Sequence, residues 1–361
     1  MRIVIAGMAS SYSRSRSNSV SSSSSNDHSN IDDRDSLPKS TSQWDMLCLE
    51  KLGISYSNEY HASPLDILDM INSKTGCFES LRGEQTEYIG DLKETLGFDI
   101  SLKESSENEQ TPELFALTDF VLPKLEEGLL KIRQHYSSRK RMMSIQEEFV
   151  KVVAQILRYE LGRYKSVKRM CPATEDLYVT VFNIFSRMCG VETIPGSLWR
   201  TRMEVGSTDV TSTADILIVP VECLDSFRKD YPVADSVAVV SVVEGKRFSS
   251  RPEEQSVTQN SIYDYVDHKT LGQHGGKLLL HLQNYNNKLT RGRRLLPGII
   301  VMGTEVIFTV LEIDPKHLSQ VYSEDPVDSR AKIYYSKPKD FLKKADRDLL
   351  MEAIMRLNNF K

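Results

Sequence analysis

The stretch from Thr213 to Lys246 limits what this chain can fold into more than any other. Asp215 opens the run Ile216, Leu217, Ile218 and Val219, and a second apolar run from Ser236 to Val243 ends on Glu244-Gly245-Lys246. Val237, Ala238, Val239, Val240, Val242 and Val243 give that second run the β-branched content of a buried strand. Charge stands only at the ends of the two runs. Two carboxylates and a lysine on neighbouring strand ends are the minimum needed to hold a divalent cation and aim a water at a phosphodiester.

A chain of 361 residues with 40% hydrophobic side chains can bury a sizeable core, and its length implies a tail plus one or two folded units. Residues Ser10 to about Ser42 are dominated by serine, with Ser13-Arg14-Ser15-Arg16-Ser17 followed by Ser21 to Ser25. Such a segment cannot bury apolar surface, so a disordered Ser/Arg-rich tail is expected over residues 1–43. The five cysteines, Cys48, Cys77, Cys171, Cys189 and Cys223, are odd in number and form no C-x-x-C pair. That pattern argues against a disulfide framework and a structural zinc site, and for a reducing compartment. No run approaches the roughly 18 apolar residues of a spanning helix. Ile3 to Ala9 is at the very short end for a secretory signal, so an intracellular protein, nuclear or cytoplasmic, is expected rather than a secreted one.

The formal net charge of −4 conceals a polarity along the chain. Acidic residues outnumber basic ones from Ser40 to Glu127, and the balance reverses from Lys131 to Arg169. This suits a basic face toward phosphates and an acidic module elsewhere; solvated helix faces would give the same asymmetry.

Helices are expected over Trp44 to Leu52 and Pro64 to Ile71, and from Thr111-Pro112-Glu113 with Leu114, Leu117, Val121, Leu122 and Leu125 behind it. These make residues 44–140 an acidic helical region, suited to a protein partner. Ile145 to Tyr164 has one apolar stripe, and Thr174 is a good N-cap for a helix that runs to Cys189 with Gly190 as its stop. A turn at Ile194-Pro195-Gly196 leads into a strand over Ser197 to Val205, and the strands at Asp215 and Glu244 follow, separated by a loop from about Glu222 to Asp235. A helix from about His268 to Lys288 comes next, then strands Pro297 to Met302 and Glu305 to Ile313 joined at Gly303-Thr304. The last helix is expected over Pro338 to Asn358.

Acidic-x-Lys triplets occur four times: Asp91-Leu92-Lys93, Glu244-Gly245-Lys246, Asp267-His268-Lys269 and Asp314-Pro315-Lys316. Only the second ends a β-branched run with an aspartate-led strand upstream. Helix, strand, Asp-strand, Glu-x-Lys strand, helix and two further strands come in that order from Glu175 to Glu312. This region resembles the PD-(D/E)xK nuclease superfamily, whose fold is restriction-endonuclease-like. Glu175-Asp176-Leu177-Tyr178, Leu271-Gly272-Gln273 and Pro297 to Thr304 add to the resemblance, while Ala214 stands where many members have proline. The expected fold class is therefore α/β, a mixed sheet flanked by helices. The nuclease-like domain would span residues 144–318, and a helical segment would follow at 319–361.

Carried over to this chain, the resemblance makes Asp215 and Glu244 ligands of Mg2+ or Mn2+ and Lys246 the group that orients or helps deprotonate the attacking water. Period two puts Glu244 and Lys246 on one side of their strand with Gly245 opposite. Glu175 is an additional acid, Gln273 reaches the site from the following helix, and Gln283 is a weaker candidate on the same helix. Plainer roles exist for each: Asp215 capping a turn, Glu244 and Lys246 as an exposed ion pair, Glu175 as a first-turn acid. Arg247, Lys288, Arg291, Arg293 and Arg294, with Arg200 and Arg202, could neutralise the phosphates of DNA or RNA, or serve surface solubility. The implied activity is metal-dependent hydrolysis of nucleic acid; a non-catalytic descendant that binds nucleic acid or protein is the alternative.

Other motifs fail. Gly272 to Lys277 has the wrong glycine separation for a phosphate loop, with Leu278 where Ser or Thr is needed. His268, His274 and His281 lack the spacing of an H-E-x-x-H metal pair and are expected as surface or groove residues. No Gly-x-Ser-x-Gly elbow or Cys-His signature occurs.

Overall fold

The computed structural model describes residues 37–100, 123, 125–127, 129–134, 140–165, 173–220, 239, 241–246, 261–285, 292–323 and 330–359. Most of the Ser-rich tail, the helix expected at Thr111 and most of the loop after Val219 lie outside them. So do Arg247, Lys288 and Arg291.

Among the described residues, which also include helical residues within 123–134, eight α-helices and ten strands have defined bounds. In chain order they are α1 (Met46–Lys51), β1 (Ile54–Tyr56), α2 (Pro64–Thr75), α3 (Gly83–Thr95), α4 (Lys140–Lys165), α5 (Glu175–Met188), β2 (Glu192–Pro195), β3 (Arg200–Val205), β4 (Thr208–Thr213), β5 (Ile216–Val219), β6 (Ser241–Lys246), α6 (His268–His281), β7 (Arg294–Met302), β8 (Glu305–Ile313), α7 (Pro315–Tyr322), β9 (Ala331–Tyr335), β10 (Lys339–Asp340) and α8 (Lys344–Leu357).

The protein is α/β, built on a mixed eight-stranded sheet ordered β1-β9-β8-β7-β6-β5-β2, with β10 also on β8. β6 lies parallel to β7 and antiparallel to β5, so the two charged strands are neighbours. β7 and β8, nine residues each, form a hairpin that turns at Gly303, where φ is 62°. Helices cover both faces. On one, Val243, Ile299 and Val301 pack with Phe149 of α4, Val181 and Phe182 of α5 and Ile354 of α8. On the other, Leu217, Val242 and Ile300 pack with Leu49 of α1 and Leu271, Leu278 and Leu279 of α6. That second face is capped further by the β3–β4 hairpin, a separate two-stranded sheet.

Local signals set several ends. Ser63 and Asp66 form a capping box around Pro64 at the start of α2, which stops at Gly76 in the left-handed region. Asp267 accepts from the Thr270 amide to start α6, and Gly190, with φ of 77°, follows α5. Thr174 occupies the N-cap position of α5 in extended conformation but makes no side-chain cap bond.

Several expectations are corrected. The residues expected as an acidic helical region apart supply β1, which pairs with β9 at one sheet edge, while α2 packs against α8. Contacts group Leu37–Lys361 as one unit, and its main sheet takes strands from both ends of that span. Ile194 and Pro195 belong to strand β2 and not to a turn; β2 is the opposite edge, where a proline costs no ladder bond. Pro315 occupies the first turn of α7, with Asp314 as its N-cap. His274 and His281 are fully buried in α6 and not surface residues, since both faces of this helix are covered. His274 Nε2 pairs with Thr309 Oγ1 at 2.7 Å.

Candidate active site

The register of the central strands builds the site. Ile216 pairs with Val243, so Asp215, just before β5, stands level with Glu244 near the end of β6. Alternation along β6 turns Glu244 and Lys246 to the face covered by α6 and Gly245 to the face covered by α5. The absence of a side chain at 245 is required there: a Cβ would lie 2.5 Å from Val179 Cγ2 of α5. The backbone at this glycine also works on the site, since its N–H donates to Asp215 Oδ2 at 2.8 Å. Asp215 is thus oriented from β6, and its own N–H donates to the Val243 carbonyl at 3.2 Å.

Lys246 Nζ lies 3.0 Å from Glu244 Oε1 and 3.2 Å from Glu175 Oε1, which comes from the first turn of α5. A second ammonium enters from α6: Lys277 Nζ pairs with Glu244 Oε2 and stands 3.6 Å from Asp215 Oδ2. Three carboxylates and two ammonium groups form one chain, Glu175–Lys246–Glu244–Lys277–Asp215. The side chains of Glu244 and Lys277 are 0% and 6% exposed, those of Lys246, Asp215 and Glu175 are 24%, 27% and 41% exposed. The cluster therefore has a buried floor and a rim open to solvent on the Glu175 side.

Electrostatics follow from this layering. Burial, and then the neighbouring Glu244 charge, push the Asp215 carboxyl above the ordinary aspartate range against the pull of Lys277. Burial disfavours charge on Lys246, but Glu244, Glu175 and Asp215 outweigh it and hold its pKa above the ordinary lysine value. Lys246 is an ammonium at any physiological pH.

Asp215, Glu244, Lys246 and Glu175 are thus brought together. Gln273 is not among them: its amide donates to the Ser42 carbonyl and ties α6 to the segment before α1. Gln283, beyond α6, donates to Thr201 Oγ1 and the Arg202 carbonyl in the β3–β4 hairpin. Arg293 pairs with Glu312 at 3.2 Å, and Arg294 begins β7. Ile300 is the register partner of Glu244, so Arg294 lies six residues upstream, about 20 Å along the strand from the carboxylates. Arg202 is paired with Asp209 and Arg200 donates to Thr211 Oγ1 at 2.9 Å, both within the hairpin. Arg200, Arg202, Arg293 and Arg294 therefore do not line the site; among the described residues its cations are Lys246 and Lys277.

Among the described residues, no group of three or more His, Cys, Asp and Glu side chains is arranged to hold a metal. The donor set at the cluster is instead a pair, Asp215 and Glu244, bridged by one ammonium. Two carboxylates fit Mg2+ or Mn2+, which favour hard oxygen donors and fill their remaining positions with water and substrate phosphate. Cys48, Cys77 and Cys189 are buried, and no helix of the described residues is long and apolar enough to cross a membrane. Neither a protein-family model nor a curated protein matches this chain.

Proposed function

We propose that this protein is a metal-dependent nuclease of the PD-(D/E)xK class, with a restriction-endonuclease-like fold, that hydrolyses phosphodiester bonds of DNA or RNA. One observation carries the proposal: Asp215 and Glu244 on adjacent strands share a cluster with Lys246, whose ammonium is steered by Glu175. Asp215 and Glu244 would hold Mg2+ or Mn2+. The metal would polarise the phosphate and lower the pKa of a bound water. Lys246, held charged by its neighbours, serves better to orient that water and offset negative charge on the phosphate than to take its proton. Glu175 positions Lys246, and the Gly245 N–H fixes Asp215. Mg2+-dependent cleavage of mixed DNA and RNA substrates by the full chain, compared with Asp215→Asn, tests this: undiminished cleavage by the variant would rule the assignment out.

A non-catalytic member of the class, binding nucleic acid or protein, is the second reading, and Lys277 favours it by neutralising the carboxylates where a metal would sit. Nucleic acid retained by the wild type without cleavage, in Mg2+ and in Mn2+, is the result that selects it.

A further inference from the structure

A carboxylate pair with one member, Glu244, fully buried is costly unless compensated, and here one lysine supplies the compensation. Lys277 projects from the middle of a helix whose neighbouring Leu278, Leu279 and Leu280 are buried, and it reaches both carboxylates with one atom. The helix itself is pinned. Gln273, one turn earlier, is bound to the Ser42 carbonyl, and His274 is bound to Thr309 of β8. Asp267 caps its first turn. The backbone at Lys277 is therefore fixed, and any displacement of the ammonium is by rotation about the bonds of its four-carbon stem.

We propose that Lys277 is a resident counter-ion that a divalent cation must displace from between Asp215 and Glu244, so that this lysine sets how tightly the site takes metal and keeps the metal-free protein folded. The proposal rests on the assignment of Asp215 and Glu244 as metal ligands. An ammonium in the gap repels an incoming divalent cation and competes for the same oxygens; removing it leaves a stronger anionic field facing the metal. The same removal leaves Glu244 with Lys246 as its ammonium partner, so the metal-free protein loses stability. A lysine with only a packing role behaves differently, because damage to the floor of the site then weakens metal binding.

The test is calorimetric titration of the full chain with Mn2+ at pH 7.5, without nucleic acid, for the wild type, Lys277→Met and Lys277→Gln. Both variants are expected to bind Mn2+ about 10-fold tighter or more, and to unfold at a lower temperature than the wild type in the metal-free state. If a variant is unfolded without metal, Mn2+ should restore a cooperative unfolding transition; failure to restore it overturns the proposal. Wild-type binding with equal or weaker binding in both folded variants also overturns it and leaves the metal site standing. No binding by any of the three overturns the proposal together with the metal assignment on which it rests.

Discussion

Lys246 Nζ lies 3.2 Å from Glu175 Oε1, an ion pair that joins the end of β6 to the first turn of α5. Glu175 is too exposed to add much to stability, since its side chain keeps 41% of its accessible surface. Its effect is on direction: the Lys246 stem can swing, and Glu175 holds it over the carboxylates. Glu175→Gln is expected to lower Mg2+-dependent cleavage by roughly 10-fold to 100-fold, the usual cost of a lost supporting contact, with Mn2+ affinity nearly unchanged. Turnover and metal titration on the same preparation check this, and unaltered turnover would remove Glu175 from the site.

Gly245 separates the two charged residues of its strand and leaves room for Val179 Cγ2, which a Cβ would meet at 2.5 Å. Gly245→Ala is expected to cost about 1–3 kcal/mol through overpacking and to displace Asp215, whose Oδ2 accepts from the same residue's N–H. Val179→Ala removes the obstructing methyl, so the double variant should recover most of that loss. Urea unfolding of the four proteins measures the coupling. Additive losses would mean that the two residues do not meet.

His281 is fully buried in α6, and neither ring nitrogen has a hydrogen-bond partner among the described residues. Burial, and then Lys277, bring its pKa down to about 3, and His274 is lowered similarly to about 3. Unfolded histidine titrates near 6.5, so the unfolded chain takes up protons that the folded chain refuses. Stability present above about pH 6.5 is lost as pH falls toward 3, by at most roughly 1.4 kcal/mol per pH unit for each histidine. His281→Leu should remove its share of that slope and raise stability at pH 7.5 by about 1 kcal/mol. Urea unfolding at pH 5 and pH 7.5 tests both points. An identical pH difference in the variant would contradict them.

The strands that carry the site are legible in sequence because their signal is local. β-branched residues mark β5 and the run into β6, and the glycine turn marks the β7–β8 hairpin. The helix opened by Glu175 is legible too, through Thr174, its apolar stripe and Gly190. What is not legible depends on distant partners. β1 has three residues and exists because β9 offers it an edge; neither segment has enough length to announce itself. Pro338 suggests a helix start, yet Lys339 and Asp340 pair with β8, and α8 begins at Lys344. Lys277 is the site residue that pattern reading misses. The one signal was a lone lysine set against Leu278, Leu279 and Leu280 in a helix with polar residues one turn earlier, and only the sheet beneath shows what it neutralises. Arg293 and Arg294 stand away from the carboxylates for the converse reason: proximity in sequence to a β-strand says nothing of which end of that strand bears the carboxylates.

Lys246 separates chemistry from metal binding, because in this account it aims a water and holds no metal. Cleavage of mixed DNA and RNA in Mg2+, measured alongside Mn2+ affinity for wild type and Lys246→Ala, is the most direct test. A fall in cleavage of about 100-fold or more, with metal affinity held within a few-fold, is expected. Cleavage by Lys246→Ala at the wild-type rate would contradict the assignment of this cluster as the centre of a nuclease.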